Sequence, residues 1–217
     1  MAKLTLVIGN KNYSSWSLRP WILARHLGLE FDELQILLDQ PDSQARLHAV
    51  SGAGRVPVLI HGELKVWESI AICEYLCELA GRGLPADPQA RALARSLSAE
   101  MHAGFGALRQ QWPMNPRATD RHTPMTPALQ RDVGRIDELW CEARERFGTG
   151  GPWLFGDYSM ADAMYAPVVL RFRTYGARLS AAAQQYRVTV LADGALQEWV
   201  AAAVAEPWTI AADEAGA

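Results

Sequence analysis

The sequence predicts two domains of different class: an α/β domain over residues 1–80 and an all-α domain over residues 89–217. Strand and helix patterns alternate in the first segment, whereas clear strand patterns are absent from the second. The stretch GRGLPADP, residues 81–88, combines glycines with prolines and is typical of a linker. We therefore expect one sheet-containing domain followed by a larger helical one.

The first domain has the predicted order βαβαββα. Strands are predicted at residues 3–8, 31–38, 57–60 and 63–67, and helices at residues 17–29, 43–50 and 69–80. A βαβ unit gives a parallel strand pair with a right-handed crossover, and the hairpin turn at His61-Gly62 adds an antiparallel pair. This order predicts a small mixed sheet with helices packed on it, which is a thioredoxin-like arrangement.

The second domain shows helical periodicity throughout. Helices are predicted at residues 92–112, 127–147, 159–175 and 195–206, with a weaker segment near 181–185. The four prolines of PMNPRATDRHTPMTP predict a loop between the first two of these helices.

Composition excludes several classes of function. The 217 residues are 49% hydrophobic and 21% charged, with a net charge of −3, as in an ordinary globular protein. No basic face favours nucleic acid or anionic lipid, and no apolar run approaches the ~20 residues of a membrane span. The opening apolar run is too short for a signal peptide, so we expect a cytoplasmic protein.

The three cysteines predict neither a disulfide framework nor a metal site. Cys73, Cys77 and Cys141 form an odd set, and further ligands at metal-binding spacing are missing from the sequence. Cys73 and Cys77 lie one helical turn apart, as expected for core thiols that pack like small hydrophobic side chains.

The dipeptide Val56-Pro57 lies where the third strand begins. A proline cannot donate to a sheet ladder, so a trans proline that merely starts the strand is one interpretation. The alternative is a cis peptide bond that turns the N–H and C=O of Val56 outward, where they can pair with a peptide-like ligand.

Glu68 and Ser69 precede the predicted helix at residues 69–80. Ser69 can be a simple capping residue beside an acidic side chain that complements the helix dipole. The same free N–H groups can instead bind a ligand carboxylate, while Glu68 meets an ammonium group. Together these residues would bind an amino-acid head group.

Ser14, Ser15 and Ser17 surround the start of the first helix. They can be redundant N-caps, or they can stabilise a thiolate, since a hydroxyl donor and the helix dipole both lower a thiol pKa from ~8.5. A shift of about two pKa units corresponds to roughly 2.7 kcal/mol. No cysteine lies in this segment, so the sulfur would arrive with a ligand.

These motifs resemble those of the cytosolic glutathione transferases. SSWSLR at residues 14–19 is similar to the SSCS-x-R motif of the zeta-like bacterial branch, with Trp16 in place of the cysteine. RVPVL, WESIAICEYL and GDYSMADAMYAPVV follow in the family's order, and the likeness covers nearly the whole chain. The resemblance implies the two-domain glutathione transferase fold.

The resemblance also implies residue roles. Ser14 is the expected thiolate-stabilising hydroxyl, with Ser15 as the competing candidate, whereas Ser17 should matter little. The expected glutathione contacts are Trp16, Arg55, Val56, Pro57, Glu68 and Ser69. The expected electrophile pocket includes Phe105, Arg109 and Trp112, while the nearby His102 is interpreted as structural.

The predicted function is a glutathione transferase acting on a small electrophile, with glutathione as co-substrate, no metal, and a homodimeric assembly. Two alternatives remain: a non-catalytic glutathione- or hydrophobic-ligand-binding protein, and a glutathione-dependent isomerase or dehalogenase. Loss of the motif cysteine disfavours the maleylacetoacetate isomerisation and haloacid dechlorination of zeta enzymes. Ser159 and Asp162 are expected to form a structural capping box.

Overall fold

A four-stranded mixed sheet forms the centre of the first domain. The computed structural model describes residues 3–217, and residues 1 and 2, which the first predicted domain includes, lie outside the described residues. The strands are β1 Leu4–Ile8, β2 Phe31–Gln35, β3 Val58–His61 and β4 Leu64–Trp67, in the order β2-β1-β3-β4. β1 pairs parallel with β2 and antiparallel with β3, and β4 completes the hairpin. The predicted mixed sheet is confirmed.

Three helices belong to this domain: α1 Ser15–His26, α2 Ser43–Val50 and α3 Ser69–Ala80. α1 begins two residues before the predicted start because Ser14 caps it, accepting from the Ser17 N–H. α3 is followed by Gly81, its C-cap, whose φ of 63° is the left-handed conformation that glycine adopts without steric cost.

The second domain is helical, as predicted. Its helices are α4 Pro88–Ala103, α5 Gly106–Gln111, α6 Pro127–Phe147, α7 Met160–Tyr175, α8 Ala181–Leu191 and α9 Gly194–Ala205. Asp87 caps α4 and Thr126 caps α6, and in both helices a proline follows the cap. α3 ends at Ala80 and α4 begins at Pro88, so α4 includes the last residue of the predicted linker, 81–88. The predicted domain boundaries themselves stay predictions.

Three predicted elements differ from the structure by more than a shift of their ends or lose part of their length. The helix predicted over residues 92–112 is broken between α4 and α5, where Phe105 has a φ of 57°. The weak segment near 181–185 is a full helix, α8, capped by Ser180. β2 ends at Gln35 rather than residue 38, because the Leu38 N–H donates to Asn10 Oδ1 instead of a ladder partner.

One continuous apolar core joins the two domains. α1 contacts α3 of its own domain and α7 and α9 of the helical domain. Trp21 of α1 packs edge-on against Trp199 of α9, with 5.2 Å between ring centroids. The start of α1 is therefore fixed by both domains.

The segment that follows α9 returns to the loop between β1 and α1. The carboxylate of Glu206 accepts from the backbone N–H groups of Lys11 (2.7 Å) and Asn12 (3.1 Å). Glu214 accepts from the Tyr13 hydroxyl at 2.6 Å and the Asn115 amide at 2.9 Å. These contacts hold the loop that leads into Ser14.

Within residues 3–217, no single helix is both long and apolar enough to cross a membrane. Only when α8 and α9 are taken together are they long and apolar enough for a membrane span, and the two helices are bent by 67° relative to each other.

Candidate functional site

A cavity of about 460 Å³ lies where α1, the segment before β3, the start of α3, and α4 meet. All six residues predicted to contact glutathione line it: Trp16, Arg55, Val56, Pro57, Glu68 and Ser69. The remaining lining residues are Ala53, Trp67 and His102. The structure thus brings three separate sequence motifs to one concave site.

The Val56–Pro57 peptide bond is cis, as one of the two sequence interpretations held. Val56 precedes the first paired residue of β3, Val58. Within residues 3–217, neither its N–H nor its C=O has a hydrogen-bond partner. Both groups can therefore pair with an extended ligand backbone.

The start of α3 forms a second wall. Glu68 has a φ of 67°, a left-handed conformation that costs a non-glycine residue about 1–3 kcal/mol and often occurs at functional sites. The first turn of α3 contains no acidic side chain, and the Glu68 side chain makes no capping hydrogen bond to it. Ser69 is buried and accepts from Arg19 Nη1 at 3.4 Å.

His102 lines the cavity, although the sequence suggested a purely structural residue. Its Nε2 lies 3.4 Å from Glu68 Oε2, and its ring meets Trp16 edge-on, with 5.4 Å between centroids. Burial and the nearby Arg19 charge lower the pKa of His102, with a further lowering by Arg109, although Glu68 partly offsets the effect. Neutral His102 can donate one hydrogen bond to a bound head group or accept one from it.

The serines at the start of α1 are buried rather than exposed to the cavity. Ser14 and Ser15 are each 4% exposed, and neither lines the cavity, whereas Trp16 does. Ser14 Oγ accepts from the Ser17 N–H at 3.3 Å and lies 2.7 Å from Ser17 Oγ. Ser15 Oγ accepts from Arg171 Nη2 of α7 at 3.0 Å.

Ser17 has a larger part in this network than we predicted. Its Oγ accepts from the buried Gly9 N–H at 3.1 Å and therefore ties β1 to α1. When Ser17 donates its own hydrogen to Ser14 Oγ, the Ser14 hydrogen has no acceptor within residues 3–217. That hydrogen is then free to bond to a ligand atom.

The residues predicted for the electrophile pocket are only partly brought to the site. Arg109 lies over Trp16, with 5.5 Å from its guanidinium carbon to the ring centroid. Phe105 is buried in the core, and Trp112 stacks on Tyr175 at 5.4 Å, so neither lines the cavity. Both rings are buried, and their predicted role stays a prediction.

The remaining sequence predictions concern structural residues. Asp162 forms the predicted capping box with Ser159, accepting from its N–H and its hydroxyl, both at 2.8 Å. Cys73 and Cys77 are buried core thiols, and all three cysteines are free. Within residues 3–217, no group of three or more His, Cys, Asp or Glu side chains could hold a metal ion.

Two family models match the chain at the two domains just described. The glutathione S-transferase N-terminal domain matches residues 13–79, and the glutathione S-transferase C-terminal domain matches residues 126–202. The chain belongs to the glutathione S-transferase superfamily.

Solved structures of glutathione transferases share this fold. A glutathione transferase homolog from Burkholderia gl BGR1, crystallised with bound glutathione, is 26% identical, with a TM-score of 0.69. The match covers 92% of this chain and 97% of that one. The theta class enzyme from Xanthomonas axonopodis pv. citri, with glutathione bound, has a TM-score of 0.67 at 21% identity, covering 92% and 98% of the two chains.

One curated relative is a dichloromethane dehalogenase from Methylorubrum extorquens. It is 25% identical over 134 residues, which are 54% of this chain and 46% of that protein. This chain thus matches about half the length of the relative.

Sequence reasoning missed two residues beside this candidate site, Arg19 and Arg171. Arg19 is part of SSWSLR, and its place in the motif was an available signal. Arg171 is 156 positions from its partner Ser15, and an arginine on a largely apolar helix was the only hint.

Proposed function

We propose that this superfamily member is a glutathione transferase that binds glutathione in the cavity beside Trp16 and directs its thiolate at a small electrophile. One observation carries the proposal: six residues predicted from three separate motifs line one cavity of about 460 Å³. A volume of this size falls within the range of small-molecule sites.

Each part of glutathione has a complementary group in this arrangement. The cysteinyl backbone pairs with the free N–H and C=O of Val56. The γ-glutamyl carboxylate binds at the start of α3 beside Ser69, and its ammonium group meets Glu68, whose side chain is 53% exposed. Arg55, at the cavity wall, is placed for a terminal carboxylate.

The thiol is assigned to the start of α1. We assign the sulfur contact to the Ser14 hydroxyl, which caps α1 and keeps a free hydrogen when Ser17 donates to its Oγ, and Ser15 stays the competing candidate. The hydroxyl and the helix dipole favour RS⁻ over RSH. The thiol proton leaves to solvent, and catalysis comes from holding the ionised sulfur beside its target.

Calorimetry and an aryl-halide conjugation assay test this proposal. Wild type should bind glutathione and conjugate it, and Glu68→Gln should weaken binding about ten-fold by losing the charge that meets the ammonium group. Glu63→Gln is the matched control, since Glu63 is exposed on the β3–β4 turn and does not line the cavity. Absence of glutathione binding by wild type would defeat the proposal.

Dehalogenation is the second candidate reaction, favoured by the dehalogenase relative. Trp16 in place of the motif cysteine argues against the isomerase and haloacid reactions of the zeta-like branch, to which the SSWSLR motif remains similar. Glutathione-dependent halide release from dichloromethane would separate dehalogenation from aryl conjugation. Glutathione binding without turnover across a broad electrophile panel would instead favour a non-catalytic binding protein.

Assembly and location complete the proposal. The family resemblance favours a homodimer, and light scattering of the purified chain tests it directly. A cytoplasmic location fits a reaction that depends on the reduced glutathione pool, and fractionation of expressing cells tests it.

A further inference from the structure

Three arginines from three helices meet near the start of α1. Arg19 of α1 is 1% exposed and Arg171 of α7 is 4% exposed, while Arg109 of α5 is partly buried. Within residues 3–217, none of the three has a carboxylate oxygen within the 4.0 Å that defines an ion pair. Buried cations are normally paired, so this cluster is unusual.

The cluster stays positively charged at neutral pH. Burial and the charge of Arg171 lower the pKa of Arg19 to about 9. Burial and the charge of Arg109 lower the pKa of Arg171 to about 10. Arg19 Nε is buried without a hydrogen-bond partner within the described residues. The arginines repel one another, and a nearby negative charge would relieve that repulsion.

The acidic groups that face the cluster compensate it only weakly. Asp132 of α6 raises the pKa of Arg109, and Asp213, after α9, raises that of Arg171, both at more than ion-pair distance. The other titratable neighbours are neutral, because burial raises the pKa of Cys73, Tyr165 and Tyr175 above their ordinary values.

On the cavity side, the arginines face His102 and Glu68, and Glu68 lies within ion-pair distance of His102 rather than of the arginines. Burial and Arg19 lower the pKa of His102, and His102 lies against Glu68. Within residues 3–217, no carboxylate that lines the cavity therefore forms an ion pair with Arg19, Arg109 or Arg171.

The cluster contacts the proposed glutathione site through two cavity residues and one serine. The Arg19 guanidinium carbon lies 4.2 Å from the Trp16 ring centroid, and Arg19 Nη1 donates to Ser69 Oγ at 3.4 Å. Arg171 Nη2 donates to Ser15 Oγ at 3.0 Å, beside Ser14. Positive charge thus contacts the residues that flank the place assigned to the sulfur.

We propose that Arg171 is a positioning residue of the helical domain that fixes Ser15 and, together with Arg19 and Arg109, supplies the positive charge that keeps bound glutathione ionised. This inference rests on the proposed function, because it requires glutathione in the cavity. The thiolate of bound glutathione supplies the negative charge that the arginine cluster lacks. Nearby cations in a weakly screened interior favour this thiolate over the neutral thiol. Arg171 acts through Ser15 and the local field rather than by touching the sulfur.

Titration of the thiolate's ultraviolet absorbance in glutathione-saturated protein tests the proposal. Arg171→Met should raise the pH of half-ionisation by about one unit or more, and Arg171→Lys, which keeps the charge, should restore much of the shift. Arg173→Met is the matched control, because half-buried Arg173 lies on the same helix and contacts the Pro116 carbonyl instead. That control should ionise glutathione as wild type does.

The outcomes separate this inference from the function on which it rests. Wild type that fails to bind glutathione, or that leaves its thiol at the pKa of free glutathione, defeats both. Arg171→Met that binds glutathione and ionises it at the wild-type pH overturns only the role of Arg171. An unshifted thiol combined with a raised KM for a carboxylate-bearing electrophile also overturns it and assigns the arginines to the second substrate.

A second variant keeps the test decisive if Arg171→Met does not fold. Arg109→Gln removes the least buried charge of the cluster and should raise the same half-ionisation pH by a smaller amount. A folded Arg109→Gln variant with an unshifted thiol would overturn the proposal.

Discussion

Two helices of this protein begin with a buried serine cap, and their surroundings differ. Ser14 caps α1 and Ser159 caps α7. At α7, Asp162 stands in the first turn and binds the cap. At α1, the first turn holds no acidic side chain, and arginines stand nearby instead.

The same local motif stabilises the fold at the start of α7, and under the proposed function it binds a ligand at the start of α1. The positive end of α7 is satisfied by a carboxylate from its own chain. The positive end of α1 has more cationic groups beside it and lacks such a carboxylate, so it suits an anion that arrives from outside.

Asp162→Ala should destabilise the fold by about 3 kcal/mol or more, since each buried group left unpaired costs about 1–3 kcal/mol. The carboxylate also accepts from the Leu154 N–H and the Tyr186 hydroxyl, both at 3.0 Å. Urea unfolding measures the loss. Asp157→Ala, which alters an exposed carboxylate five residues earlier, should leave the midpoint nearly unchanged.

Ser14→Ala should raise the pH at which bound glutathione ionises and reduce turnover about 10- to 100-fold at neutral pH, because hydrogen bonds to charged groups contribute about 1.5–3 kcal/mol. Stopped-flow conjugation and thiolate absorbance measure the two effects. Ser180→Ala removes the cap of α8 and should lower stability alone. Identical ionisation in Ser14→Ala and wild type would exclude Ser14 from the mechanism.

Ser17→Ala should reduce stability by about 1–2 kcal/mol, because the buried Gly9 N–H loses its acceptor. The variant should also change the thiolate titration slightly, since Ser17 Oγ orients Ser14. Thermal unfolding and the absorbance titration measure these effects. Unchanged stability would show that solvent replaces the Ser17 contact.

The smallest expected effect is the pH dependence of folding stability that comes from Asp162. Burial raises the pKa of Asp162 above 3.8 despite its hydrogen bonds. Because the folded pKa exceeds the unfolded one, the Asp162 contribution to stability is complete below the unfolded pKa and declines as pH rises through the folded pKa. Wild type should therefore lose stability relative to Asp162→Asn across that rise in urea titrations. A constant difference between them would contradict the raised pKa.

Most of the fold was predictable because its signals are local. The change from mixed strand and helix periods to helical periods predicted the two domain types, and helical periodicity placed most helix starts within a few residues. The break at Phe105 was missed because core packing, not sequence periodicity, holds that residue in a left-handed conformation. α8 was underestimated because its contacts with α6, α7 and α9 stabilise a segment with weak amphipathic character.

The candidate site was predictable where its residues belong to short contiguous motifs, as Val56-Pro57 and Glu68-Ser69 do. The contact of Arg171 with Ser15 was not, since it depends on how α7 packs against α1. The burial of Ser14 was also missed, because a motif indicates which residue lies at a helix start but not how deeply that start is enclosed.

The return of the last segment to the β1–α1 loop limits how the molecule can be recombined with its relatives. Glu206 and Glu214 belong by sequence to the helical half, yet their carboxylates hold Lys11, Asn12 and Tyr13. A chimera that joins this sheet domain to another transferase's helices must therefore carry residues 206–214 with it. Without them, two backbone amides and a phenol would need new acceptors beside the helix that Ser14 caps.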